Sequence, residues 1–87
     1  MSTADLIRER LAALEPETYT LEDESAQHRG HPGAAGGGGH FRLTVVSPKF
    51  RDLTTLARHR LVYEAMGELM QREIHALSIT ALTPEEL

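Results

Sequence analysis

Apolar positions change their period part-way through the last third of the chain. Leu61, Val62, Ala65, Met66 and Leu69 recur at steps of three and four, which predicts a helix with one apolar stripe. Glu64, Glu68 and Arg72 stand four apart on another face, with acid N-terminal to base, the favourable order. From His75 onward Leu77, Ile79 and Ala81 alternate with Ala76, Ser78 and Thr80, which predicts a strand from about Ala76 to Leu82 with one apolar face. Arg72 to Ile74 remain for the turn, so His75 stands at the corner. A helix that feeds so directly into a strand folds back onto the sheet that holds it.

The upstream elements follow from the same patterning. Ala4, Ile7, Leu11 and Leu14 make a narrow stripe on a first helix from Ser2 to Leu14, opened by a capping pair of Ser2 and Asp5 and stopped by Pro16. Tyr19 and Leu21 alternate with Thr18, Thr20 and Glu22 in a first strand from Thr18 to Ser25, whose acidic end (Glu22, Asp23, Glu24) discourages edge pairing. Phe41, Leu43 and Val45 share one face of a second strand from His40 to Ser47, and Val46 on the other face suggests burial on both sides. Lys49 to Asp52 reads as a short helical turn. Asp52 or Thr54 then caps the long helix, which is expected to reach Gln71 or Arg72. Gly67 inside it costs ~1 kcal/mol relative to Ala and permits a close approach to the sheet. Thr83-Pro84-Glu85-Glu86 begins one last helical turn.

These elements predict one small α+β domain over residues 1–87, in the order α-β-β-α-α-β. Strands one and two form an antiparallel hairpin. Strands two and three are parallel across a right-handed crossover, giving a three-stranded mixed sheet with helices on one face. Residues 26–39 form the hairpin connection, a flexible loop with two His, one Pro and six Gly. Its glycines run into a strand and lack the Gly-Lys-Ser/Thr opening a helix that a phosphate-cradling loop needs, so nucleotide binding is rejected.

Composition narrows the chemistry. The 87 residues contain no Cys, hence no disulfide and no thiolate metal site. Apolar runs are only a few residues long, far from the ~18 of a membrane-spanning helix. No basic region followed by an apolar block marks the N-terminus, so a cytoplasmic protein is expected. A net charge of −4 argues against a dedicated nucleic-acid binder. Nucleophile-elbow and H-E-x-x-H patterns are absent, which argues against an enzyme.

Five His remain as candidate metal ligands. Taken singly, each reads as structural rather than catalytic. Together they suggest more. Parallel pairing of strands two and three puts His75 at the sheet end where strand two begins. The loop enters strand two at that same end, so His28 or His31 comes within reach of His75. Lys49, Arg51, Arg58 and Arg60 form a local basic group, with His59 between two Arg as a packing or docking residue. This group suits charge balance, a docking surface or contact with DNA.

Five motifs in order resemble the BolA family: D-E-S-A-Q-H, H-F-R-L-T-V-V-S-P-K-F, R-H-R-L-V-Y, I-H-A-L-S-I and T-P-E-E. The resemblance covers nearly the whole chain, from about Leu6 to Glu86. It implies the BolA fold, which is similar to a type II KH domain. It implies a monothiol glutaredoxin as partner and a shared 2Fe–2S cluster, with a glutaredoxin cysteine and a glutathione thiol supplying sulfur. His75 matches the family's ligand in the I-H-A-L motif. His28, four residues after Glu24, best matches the loop ligand, with His31 in reserve because this loop is long and glycine-rich. The family also implies a possible DNA contact through its helix-turn-helix-like surface, where Lys49, Arg51, Arg58, His59 and Arg60 lie. The expected protein is a non-enzymatic accessory factor in iron–sulfur cluster handling, a monomer or weak dimer when alone, with DNA-binding regulation as the alternative.

Overall fold

Ser2 and Asp5 open the first helix by reciprocal bonds. The Asp5 N–H donates to Ser2 Oγ at 3.1 Å, and the Ser2 N–H donates to Asp5 Oδ2 at 3.3 Å. Those bonds satisfy two backbone donors that the helix leaves unpaired, and hydrogen bonding from the Ser2 side chain, then from its N–H, holds the Asp5 carboxyl below its usual range. The structure, a computed structural model, describes residues 1–25 and 39–87. Helix α1 spans Thr3–Leu11 and tightens into a 3-10 turn over Ala12–Leu14. Glu15 then takes a positive φ of 47° and turns the chain into strand β1, Thr18–Asp23.

Strand β2 spans Gly39–Val46 and is followed by a 3-10 turn, Pro48–Phe50. Helix α2 spans Thr55–Met66 and α3 spans Leu69–Arg72. Strand β3 spans Ile74–Leu82, and a last 3-10 turn covers Pro84–Glu86. The sheet order is β1-β2-β3; β2 pairs antiparallel with β1 and parallel with β3. Among the described residues no helix is long and apolar enough to cross a membrane.

The core lies between one sheet face and the helices. Phe41, Leu43 and Val45 from β2 join Ile7 and Leu11 from α1, Val62 and Met66 from α2, Leu69 from α3, and Phe50. The expected inward stripes face this core, with Tyr19, Leu21, Leu77, Ile79 and Ala81 of the flanking strands half-buried against it, and Val46 is buried on the opposite face of β2. Ser47 Oγ donates to the Leu14 carbonyl at 2.5 Å, tying the end of β2 to the first helix.

Several boundaries differ from the sequence expectation. The long helix does not reach Gln71 or Arg72. It stops at Met66, because Gly67 takes φ 57° and ψ −130°, outside helical geometry, and donates its N–H to the Tyr63 carbonyl. The two consecutive helices are thus α2 and α3, not a turn at residues 49–52 and one continuous helix. The 3-10 turn there covers Pro48–Phe50 instead, and Asp52 takes a positive φ of 63° while Thr54 is the cap, its hydroxyl accepting from the Ala57 N–H. Strand β1 ends at Asp23 rather than Ser25, and Gly39 belongs to β2 rather than to the loop. Strand β3 begins at Ile74, two residues early.

Candidate functional site

Simple alternation would place His75 on the same side as Leu77, Ile79 and Ala81, facing the core. The structure places it in solvent. The pairing explains why. Gly39 lies opposite Ile74, but the next residue of β2, His40, lies opposite Ala76. His75 is therefore the extra residue of a β-bulge. A bulge re-aims side chains at the point of insertion. Here Ile74 and Leu77, three apart, both turn inward, and His75 and Ala76 between them are exposed.

Close packing holds the bulge. The Gly39 N–H donates to the Glu73 carbonyl at 2.8 Å, so the start of β2 is fastened to the residue before β3. A Cβ on Gly39 would stand 2.3 Å from Cε2 of Phe41, a buried core residue, so any other residue there forces Phe41 or the strand to shift. On the other side the D-E-S segment anchors His40. The Ser25 N–H donates to Asp23 Oδ1 at 2.9 Å, Ser25 Oγ accepts from the His40 N–H at 3.1 Å, and the Glu24 N–H donates to the His40 carbonyl at 2.7 Å. The Ser25 bonds pull the Asp23 carboxyl below its usual range.

The ring of His40 consequently sits beside that of His75, with centroids 4.9 Å apart and planes tilted by 42°. His40 is half-buried and His75 exposed. The sequence reading missed this neighbour and treated His40 as the opening residue of a strand. Its signal was the parallel crossover itself, which aligns the starts of β2 and β3. His28 and His31 lie outside the described residues. The segment that carries them, residues 26–38, leaves from Ser25 and returns at Gly39, both beside this pair of rings.

The basic group divides. Lys49 Nζ donates to the Ala13 carbonyl at 3.3 Å and stands 3.7 Å from Glu15. The Arg51 guanidinium forks onto Glu85. Arg58 donates to the carbonyls of Leu53 and Ala81 at 3.0 and 3.1 Å and to Glu86 at 2.6 Å. Among the described residues Arg60 takes part in no ion pair; it is exposed, and the adjacent His59 is half-buried. Arg58 meets β3 at Ala81, six residues beyond His75, or about 20 Å at the usual rise of a strand. The imidazole pair and the basic group occupy opposite ends of the sheet.

Comparison with known proteins adds independent findings. A family profile described as "BolA-like protein" matches residues 11–86. BolA-like protein 1 of Mus musculus is 46% identical over 74 residues, which cover 85% of this chain and 52% of that relative. The chain therefore spans about half the length of that relative. The DNA-binding transcriptional regulator BolA of Haemophilus influenzae is 30% identical over 87 residues, covering 99% of this chain and 82% of that protein. Among solved structures, the BolA domain of SufE1 from Arabidopsis thaliana superposes with a TM-score of 0.87 at 40% identity, over 100% of this chain and 98% of that one.

Proposed function

The chain belongs to the BolA-like protein family, and from that premise we propose that it is a non-enzymatic accessory protein in iron–sulfur cluster handling. It binds a monothiol glutaredoxin and shares a 2Fe–2S cluster through His75 and a loop imidazole, His28 first and His31 in reserve. One observation carries the reading: the bulge turns His75 out of the core, at the sheet end where residues 26–38 leave and return. His28 is three residues beyond Ser25, so it stays within about 10 Å of that anchor even on an extended chain.

The donor chemistry supports the same reading. The chain has no Cys, so it offers nitrogen while the sulfur comes from the glutaredoxin cysteine and a glutathione thiol. Mixed His and Cys ligation raises the potential of a two-iron cluster relative to all-Cys ligation. This chain's own part is to hold His75 on a rigid strand at a fixed bulge.

Anaerobic mixing with a monothiol glutaredoxin, glutathione, ferrous iron and sulfide tests the reading. The visible and circular-dichroism spectrum is expected to differ from that of the glutaredoxin homodimer, and His75→Ala is expected to abolish the difference. An unchanged spectrum and cluster lifetime in His75→Ala would remove the ligand assignment.

A second reading, a DNA-binding regulator, is favoured by the name of the Haemophilus influenzae relative. It would rely on Arg60 and His59 more than on Lys49, Arg51 and Arg58, whose cationic groups already meet internal acceptors. Binding to a promoter duplex would then fall steeply with salt. No complex at low salt would dismiss this reading.

A further inference from the structure

We propose that His40 and His75 together form a two-imidazole site for a single divalent transition-metal ion, of the zinc or ferrous class, in the free protein. The site shares His75 with the cluster reading above but needs neither glutaredoxin nor glutathione.

Ring spacing is the first argument. Two imidazoles on one tetrahedral metal, each with a metal–nitrogen bond of about 2.0–2.1 Å, bring their centroids to about 5 Å. The centroids of His40 and His75 are 4.9 Å apart, and the rings are tilted rather than stacked. That spacing matches what two imidazoles on one ion require.

Backbone fixation is the second. His40 is held from one side by Ser25 and Glu24 and from the other by the parallel pairing of β2 with β3. His75 is held by the bulge, between buried Ile74 and the run of paired residues that starts at Ala76. Both imidazoles therefore stand on rigid strands, and an ion pays little ordering entropy to bring them together. His75 is exposed, so the ion has an entry path, and water completes its coordination. Neutral imidazole suits zinc, iron and copper alike.

Zinc, which is diamagnetic, is the probe. The full chain is titrated with zinc chloride alone while the ring nitrogens are followed by 15N-edited spectra. The ring signals of His40 and His75 are expected to move together and to saturate at one equivalent, with His59 unmoved. His40→Asn and His75→Asn are each expected to weaken zinc binding about tenfold or more, the loss of one arm of a chelate. The double substitution His28→Asn and His31→Asn is expected to leave it within about twofold of the wild type, so that the chelate lies wholly on the strands. Zinc that shifts the loop imidazoles and leaves His40 unmoved overturns the proposal, as does a folded His40→Asn that binds as the wild type does. The wild-type spectra decide even where a variant misfolds. Cluster formation with glutaredoxin is read in a separate experiment, so one reading can fail while the other stands.

Discussion

Arg58 and Glu86 clamp the end of the protein away from the imidazole pair. Arg58 Nη1 stands 2.6 Å from Glu86 Oε1, and the same side chain donates to the carbonyls of Leu53 and Ala81. Glu86 Oε1 also accepts from the Thr83 N–H at 2.7 Å. The R-H-R and T-P-E-E motifs, far apart in sequence, are two halves of one fastening. It joins the first turn of α2 to the end of β3 and to the last 3-10 turn.

Removing the clamp's cation is expected to cost stability. The Arg58 side chain is only 13% exposed, and its loss leaves the carbonyls of Leu53 and Ala81 without their donor. Arg58→Ala is expected to destabilise by about 2–3 kcal/mol, the scale of two such bonds lost in a largely buried place. Arg58→Lys is expected to recover only part, because its single nitrogen cannot span acceptors that Arg58 meets with Nε, Nη1 and Nη2. Urea unfolding checks both. A wild-type midpoint in Arg58→Ala would show the side chain free for docking instead.

Acid should loosen the same end. The hydrogen bond from Arg58, and then that from the Thr83 N–H, pull the Glu86 carboxyl from 4.5 to about 2. Glu85 is pulled down too, chiefly by Arg51. A carboxylate depressed on folding contributes stability above its unfolded value, and loses it as pH falls toward the folded one. The stability gap between the wild type and Glu86→Gln is therefore expected to be full at pH 6, to shrink below about pH 4.5 and to close near pH 2. Urea midpoints across that range measure it; a gap that stays constant to pH 2.5 would contradict the assigned shift.

Gly67→Ala distinguishes a broken helix from a continuous one by the sign of its effect. In a continuous helix the change would stabilise by ~1 kcal/mol. At φ 57° and ψ −130° a side chain is strained, and its Cβ would meet Arg10 Nη1 at 3.1 Å. The expected outcome is a loss of about 1–3 kcal/mol, seen as a lower thermal midpoint.

The differences between sequence and structure have particular causes. Leu69 stays buried beyond the break, so the apolar stripe continues across Gly67 and conceals it. Inward Leu77, Ile79 and Ala81 could be read from alternation, but the bulge could not, since an inserted residue reverses the parity of what precedes it. Parity alone would have buried His75. The D-E-S and I-H-A-L motifs lie at the one sheet end where His40 and His75 meet. His40 was passed over because its partner lies on a strand 35 positions later and is found only through register. The acidic partners of Lys49, Arg51 and Arg58 could not be read from the sequence, because Glu15, Glu85 and Glu86 are distant from them along the chain.

Gly39→Ala links packing to the site. Its new methyl would stand 2.3 Å from Cε2 and 2.9 Å from Cζ of Phe41, whose ring is held in the core. Either Phe41 shifts or the start of β2 pulls away from Glu73, where the Gly39 N–H now donates at 2.8 Å. Overpacking of this kind costs about 1–3 kcal/mol. The second movement also separates β2 from β3 at the bulge, the junction that sets His40 beside His75. The expected variant is folded but less stable, with weaker ring-to-ring nuclear Overhauser contacts between the two imidazoles and weaker zinc binding. A variant that loses stability yet keeps those contacts at wild-type strength would show that Phe41 absorbs the methyl and that the bulge holds without glycine.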